Sequence, residues 1–132
     1  MARIDPEFKH EIVKYGAGNF KACYNCGQCT AVCNLTEESA NFPRKFIRLG
    51  LLGLKDDIIN SKDLWMCYGC GDCSETCPRE ADPAAYMAAL RRYAIARYDF
   101  TGLTRWLFTS NPFAILLTLF LAVLLGFFLL TI

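Results

Sequence analysis

Apolar residues recur along this chain at three- and four-residue intervals, and nowhere do they alternate with polar residues over the length of a strand. Phe8, Ile12 and Val13 form the first such face. Asp5-Pro6 opens it, with Asp as cap and Pro in the first helical position, and Gly16 ends it. Phe42, Phe46, Ile47 and Leu51 form a second face, closed by Gly50 to Gly53 and followed by a short segment from Asp56 to Ile59. Asp82-Pro83 repeats the first opening and starts a strong helix to about Tyr98, with Tyr86, Met87, Leu90, Tyr93 and Ala94 on one side. From Phe113 to Ile132 the periodicity stops, and only Thr118, Gly126 and Thr131 interrupt an apolar run. The pattern predicts an all-α chain.

That final run accounts for much of a hydrophobic content of 54%. Without it the chain has the composition of an ordinary soluble domain. Its 113–132 stretch at about 1.5 Å per residue reaches roughly 30 Å, the thickness of a bilayer core, and reads as one transmembrane helix. The alternative is a buried core helix, but a domain of this size could not wrap it on every side. Arg91, Arg92, Arg97 and Arg105 precede the run, with Asp99 the one acid among them, so the positive-inside rule places the N-terminal part in the cytoplasm. Trp106 suits an interfacial anchor, and Asn111-Pro112 suits the first turn of the span. Met1 to Phe20 is charged and lacks the apolar centre of a secretory signal. The apolar run reaches the last residue, so the span either stops at the far interface or belongs to a longer protein. The expected organisation is a helical domain over 1–98, a basic juxtamembrane neck over 99–112 and a transmembrane helix over 113–132.

A length of 132 residues excludes separate cofactor and substrate domains. A balance of 14 basic against 13 acidic residues gives no footprint for nucleic acid. The informative excess is cysteine. Cys23, Cys26, Cys29 and Cys33 lie in CYNCGQCTAVC, and Cys67, Cys70, Cys73 and Cys77 in CYGCGDCSETC. C-x2-C-x2-C-x3-C is thus written twice, with the tyrosine after the first cysteine and the glycine after the second also repeated. This is the ferredoxin spacing for 4Fe-4S clusters, in which three near cysteines hold one cluster and the fourth reaches the other. It predicts two 4Fe-4S clusters with crossed ligation, one on Cys23, Cys26, Cys29 and Cys77, the other on Cys67, Cys70, Cys73 and Cys33. With no strand predicted, the helical ferredoxin arrangement is favoured over the compact βαββαβ type.

Other cysteine chemistries fit less well. Structural zinc uses two CxxC pairs per ion and has no need of the third close cysteine. Disulfides need an oxidising compartment, against the arginine flank. A redox-active CxxC lacks the surrounding βαβ pattern. Gly27 and Gly71 serve either turn geometry or close backbone approach to a cluster. Pro78 follows the last cysteine of the second block, where the first block has Asn34, so the two environments are expected to be unequal. Gly16-Ala17-Gly18 lacks the third glycine of a nucleotide loop and reads as a helix stop, and His10 reads as a surface or packing residue. No nucleophile has a base beside it.

The cysteine blocks, FPRKFIRLGLLGL between them, LWMCYGCGDC and CPREADPAAYMAALR together resemble the C subunit of heterodisulfide reductase. They are similar also to the N-terminal part of the membrane subunit of quinone-interacting membrane-bound oxidoreductases. The resemblance runs from about Phe20 to Arg92. It implies an alpha-helical ferredoxin fold and an electron-transfer role beside a flavin- or iron-sulfur-containing cytoplasmic subunit and a membrane subunit or quinone. The apolar tail favours the quinone-linked branch, although that branch is expected to have several spans and haem-ligating histidines near them. The expectation is a membrane-anchored electron-transfer subunit of an oxidoreductase complex, on the cytoplasmic side of the membrane and not catalytic alone. The competing readings are a membrane tether with structural four-cysteine metal sites and no redox role, and an autonomous disulfide or quinone reductase.

Overall fold

The computed structural model describes residues 3–109 and 111–131, without the side chains of 111, 113 and 128–131. Among these residues every regular element is a helix: α1 (Phe8–Glu11), α2 (Gln28–Ala31), α3 (Arg44–Leu51), α4 (Lys55–Ile59), α5 (Asp72–Glu75), α6 (Pro83–Tyr98), α7 (Leu103–Thr109) and α8 (Asn111–Thr131). Tight 3-10 turns at Ile12–Tyr15, Phe20–Ala22, Asn34–Thr36 and Lys62–Trp65 join the shorter ones. The chain divides into two compact units, one reaching Ala94 and the other starting at Ile95.

The first apolar face is realised with a change of pitch. Asp5 Oδ1 accepts the Glu7 N–H at 3.0 Å. α1 then tightens into the 3-10 turn, which stops at Gly16 with φ of +89°. Three residues per turn bring Tyr15 under Ile12 and turn Val13 outward, so Tyr15 is buried and Val13, expected inside, is 45% exposed.

The second face also departs from expectation. Phe42 lies ahead of α3 because the proline after it disfavours helical backbone at that position. It is buried nonetheless, edge-on to Phe46 with ring centroids 5.7 Å apart. Leu51 sits at the helix end and is 36% exposed. Gly50 belongs to α3, and the stop is Gly53, whose φ is +75° and whose carbonyl accepts the Asp5 N–H at 2.9 Å.

α6 follows its prediction and forms the spine of the first unit. Tyr86, Met87, Leu90, Tyr93 and Ala94 are all buried. Tyr86 stacks on Phe20 at 4.6 Å, and Tyr93 meets the edges of Phe8 and Tyr15 at 5.2 and 5.4 Å. Burial pushes the Tyr86 phenol well above its ordinary pKa, and its hydroxyl donates to the Phe46 carbonyl at 3.2 Å. At the start of α6, Asp82 Oδ1 accepts the Ala85 N–H at 3.1 Å and the Ser74 hydroxyl at 2.5 Å, while Ser74 Oγ accepts the Ala84 N–H at 2.9 Å. The exit helix is thereby pinned to α5. Asp82→Ala should cost about 1 kcal/mol, read as a lower denaturant midpoint.

In the second unit Asp99 opens α7, accepting from the backbone and hydroxyl groups of Thr101 and Thr104. Those bonds, the Thr104 hydroxyl foremost, hold its carboxyl well below the usual range. Among the described residues no single helix is long and apolar enough to cross a membrane. Leu103–Thr109 and Ala114–Phe127, bent by 113° at their junction, reach that length and composition only as a pair. Ile132 and the side chains of Phe113 and of 128–131, all part of the expected span, lie outside what is described.

Candidate metal centres

Each cysteine block is a loop turning into one helical turn. The loops share a backbone that the side chains only partly announce. Gly27 and Gly71 stand at the N-caps of α2 and α5 with φ of +90° and +95°. Two residues earlier, Asn25 has φ of +68° and Gly69 +75°. Asn tolerates the left-handed region better than other residues with a Cβ, which explains how CYNC and CYGC trace the same path. At Gly71 an added Cβ would meet nothing within 4 Å, so the positive φ itself calls for glycine there. Gly71→Ala should lower stability by about 1–2 kcal/mol in chemical denaturation, while Gly69→Asn should be close to neutral.

α2 and α5 pack against each other and bring the two blocks together. All eight cysteines are free thiols; Cys29 is buried, Cys26 and Cys70 are exposed, and the rest are half-buried. Burial pushes the Cys73 thiol up to about 12, with Cys67, Cys29, Cys70 and Cys33 adding to the effect. Cys29 is raised too, first by burial and then by Cys23. For Cys33 burial leads again, and the neighbouring thiols that raise it are Cys67 and Cys70, of the other block.

The same partition appears in space. One largely apolar pocket is lined by Cys33, Cys67, Cys70 and Cys73, and by Met87 and Ala84 of α6. Asp72 lines it as well, where the first block has the neutral Gln28. In the first block, the Tyr24 hydroxyl is held above its usual pKa first by a hydrogen bond with Cys26. Cys77 Sγ accepts the Ala81 N–H at 3.4 Å, the kind of bond that stabilises negative charge on sulfur. Among the described residues no three His, Cys, Asp or Glu side chains converge on a single ion position. A cluster makes no such demand, since its four thiolates hold four different irons. Eight free thiols so spaced, with Cys33 brought to Cys67, Cys70 and Cys73, fit that cofactor.

Sequence reasoning missed several residues that shape these sites. Asn25 could have been found by aligning the two blocks. Met87 and Ala84 read only as core. Arg91 and Arg92, read as a membrane flank, are engaged inside the first unit: Arg92 Nη1 donates to the Tyr15 carbonyl at 2.8 Å, and Arg91 donates to carbonyls leading into the second block.

Comparison with known proteins agrees with the class that this geometry defines. The chain carries a 4Fe-4S dicluster domain, matched over residues 19–81. It is 35% identical over 102 residues to the second iron-sulfur C subunit of the CoB--CoM heterodisulfide reductase of Methanocaldococcus jannaschii, covering 71% of this chain and 54% of that protein. It is 40% identical over 77 residues to the C subunit of the H(2):CoB-CoM heterodisulfide,ferredoxin reductase of Methanothermobacter marburgensis, covering 58% and 42%. A protein of Archaeoglobus profundus, itself named as similar to the C subunit of heterodisulfide reductase, matches at 35% over 100 residues, covering 70% and 53%. The chain is therefore similar to the C subunits of heterodisulfide reductases, and it spans about half the length of these curated relatives.

Proposed function

We propose that this chain is the iron-sulfur electron-transfer subunit of a heterodisulfide reductase-like complex. Two 4Fe-4S clusters are held by crossed quartets, Cys23, Cys26, Cys29 and Cys77 for one and Cys67, Cys70, Cys73 and Cys33 for the other. The observation that carries the reading is the cavity in which Cys33 joins the three near cysteines of the second block. When bound, such clusters supply one-electron transfer. The chain's own residues hold the thiolates, keep water from Cys29, and bring Cys26 and Cys70 to the surface, where redox partners have access. Those partners are a flavin- or iron-sulfur-containing cytoplasmic subunit on one side and a membrane subunit or quinone on the other.

Membrane anchoring forms part of the proposal. α7 and α8 together, as the bent pair, have the length and composition of a span, and no charged residue follows Arg105. Ile115, Leu116, Leu119, Phe120, Val123, Leu124 and Phe127 are all exposed on α8, a surface suited to lipid. The organisation that follows is a helical cluster domain over 1–98, a neck over 99–112 and an anchor over 113–132, with the cluster domain on the cytoplasmic side.

Iron and sulfide analysis of anaerobically purified protein, with EPR after reduction, tests the cofactor. About eight irons per chain and a reducible signal are expected. About two zinc ions with no signal would establish the structural tether instead. Carbonate washing of membranes tests the anchor: the full chain should stay in the pellet, and a chain ending at Thr109 should be released.

A further inference from the structure

α6 carries Arg91 back over the polypeptide that leads into the second cysteine block. Its Nε donates to the Leu64 carbonyl at 3.1 Å, and its Nη2 donates to the carbonyls of Trp65, at 3.1 Å, and of Cys67. The first two close the 3-10 turn Lys62–Trp65, and the third belongs to the first ligand residue of the block. Carbonyls at a helical end lack partners within the helix and carry partial negative charge, so a cation caps them well. The guanidinium suits this position in particular, because its planar fork of N–H donors reaches several carbonyls at once and stays charged. Among the described residues no side chain donates to a carbonyl of the matching 20–23 stretch. The two blocks therefore share a backbone but not this clamp.

We propose that Arg91 is a positioning residue for the second block. It fixes the peptide that presents Cys67 and sets a permanent positive charge on the carbonyl of that ligand residue. The group held there accepts an electron more readily as a result, since reduction adds negative charge beside a cation. Asp72, in the same cavity, acts in the opposite direction, so the contribution of Arg91 is read by varying it alone. The inference about potential rests on the cluster reading above; the inference about the clamp does not.

Two measurements on the full chain test it, using Arg91→Gln and Arg91→Lys. Hydrogen-deuterium exchange of the protein as purified should quicken over 62–69 in Arg91→Gln and stay unchanged over 18–25. Equal exchange in both stretches, or faster exchange throughout, overturns the clamp whatever metal is present. EPR-monitored redox titration, with the signals assigned through a Cys26→Ala protein that loses the first-block signal, should move the second-block potential downward in Arg91→Gln. Arg91→Lys, which keeps the charge, should recover most of that shift. An unchanged potential, or an equal shift of both signals, refutes the electrostatic role. A wild type with no reducible signal counts against the cluster reading, while the exchange result still decides the clamp.

Discussion

With the crossed quartets proposed above, Cys77→Ala should remove the cluster of the first cysteine block and spare that of the second. The fourth cysteine of each C-x2-C-x2-C-x3-C run leaves on a different segment from the first three. In this chain Cys33 lies in the cavity of Cys67, Cys70 and Cys73. The same spacing assigns Cys77 to the first block. Alanine offers no donor, so iron and sulfide should fall to about half of the wild-type content, and one of the two EPR signals should vanish. The surviving signal should be the one lost in Cys70→Ala. Cys33→Ala should give the mirror result. Selective loss of the second-block signal in Cys77→Ala would show that each block keeps its own fourth ligand.

The second large effect lies away from the cysteines. Gly50→Ala would drive a Cβ into the Tyr86 hydroxyl oxygen and bring it to 2.9 Å from the ring carbon Cζ. Tyr86 has no room to retreat: it is fully buried, stacked on Phe20 and bonded to the Phe46 carbonyl. Alanine favours helix over glycine by up to about 1 kcal/mol, whereas overpacking a tight core costs about 1–3 kcal/mol or more. The clash should win, lowering stability by about 2 kcal/mol in denaturant unfolding. Tyr86→Phe on top of it removes the nearest atom and should restore part of the loss, a non-additivity expected of touching residues. Because Met87 and Ala84 of the same helix line the second cavity, the displaced helix should also retain less iron. Unchanged stability in Gly50→Ala would mean that α3 and α6 are less tightly packed than described.

The helical class and the buried face of α6 were legible because a sixteen-residue helix repeats its apolar period several times. The short elements were not. With α1 only four residues long, a switch to 3-10 pitch is enough to exchange Val13 for Tyr15, and no periodicity count resolves that. Gly50 looked like a stop because glycines end helices; its role depends on Tyr86, 36 residues away in sequence. The cysteines were legible as chemistry since their spacing is itself the signal. Arg91 was not, because an arginine before an apolar run satisfies the positive-inside rule equally well whether it faces lipid or clamps three carbonyls. Arg97 and Arg105 fall in the second unit.

The packing of α2 against α5 gives the duplication a different meaning from simple doubling. Each is a single four-residue helical turn, far below the length at which a helix holds in water by itself. Each is sheltered by the other. A fragment carrying one motif would have nothing to fold against, so the smallest unit of this architecture is the pair, whether one chain or two supplies it. Insertions that lengthen the 33-residue bridge between the blocks are then far less damaging than any change that parts those two turns.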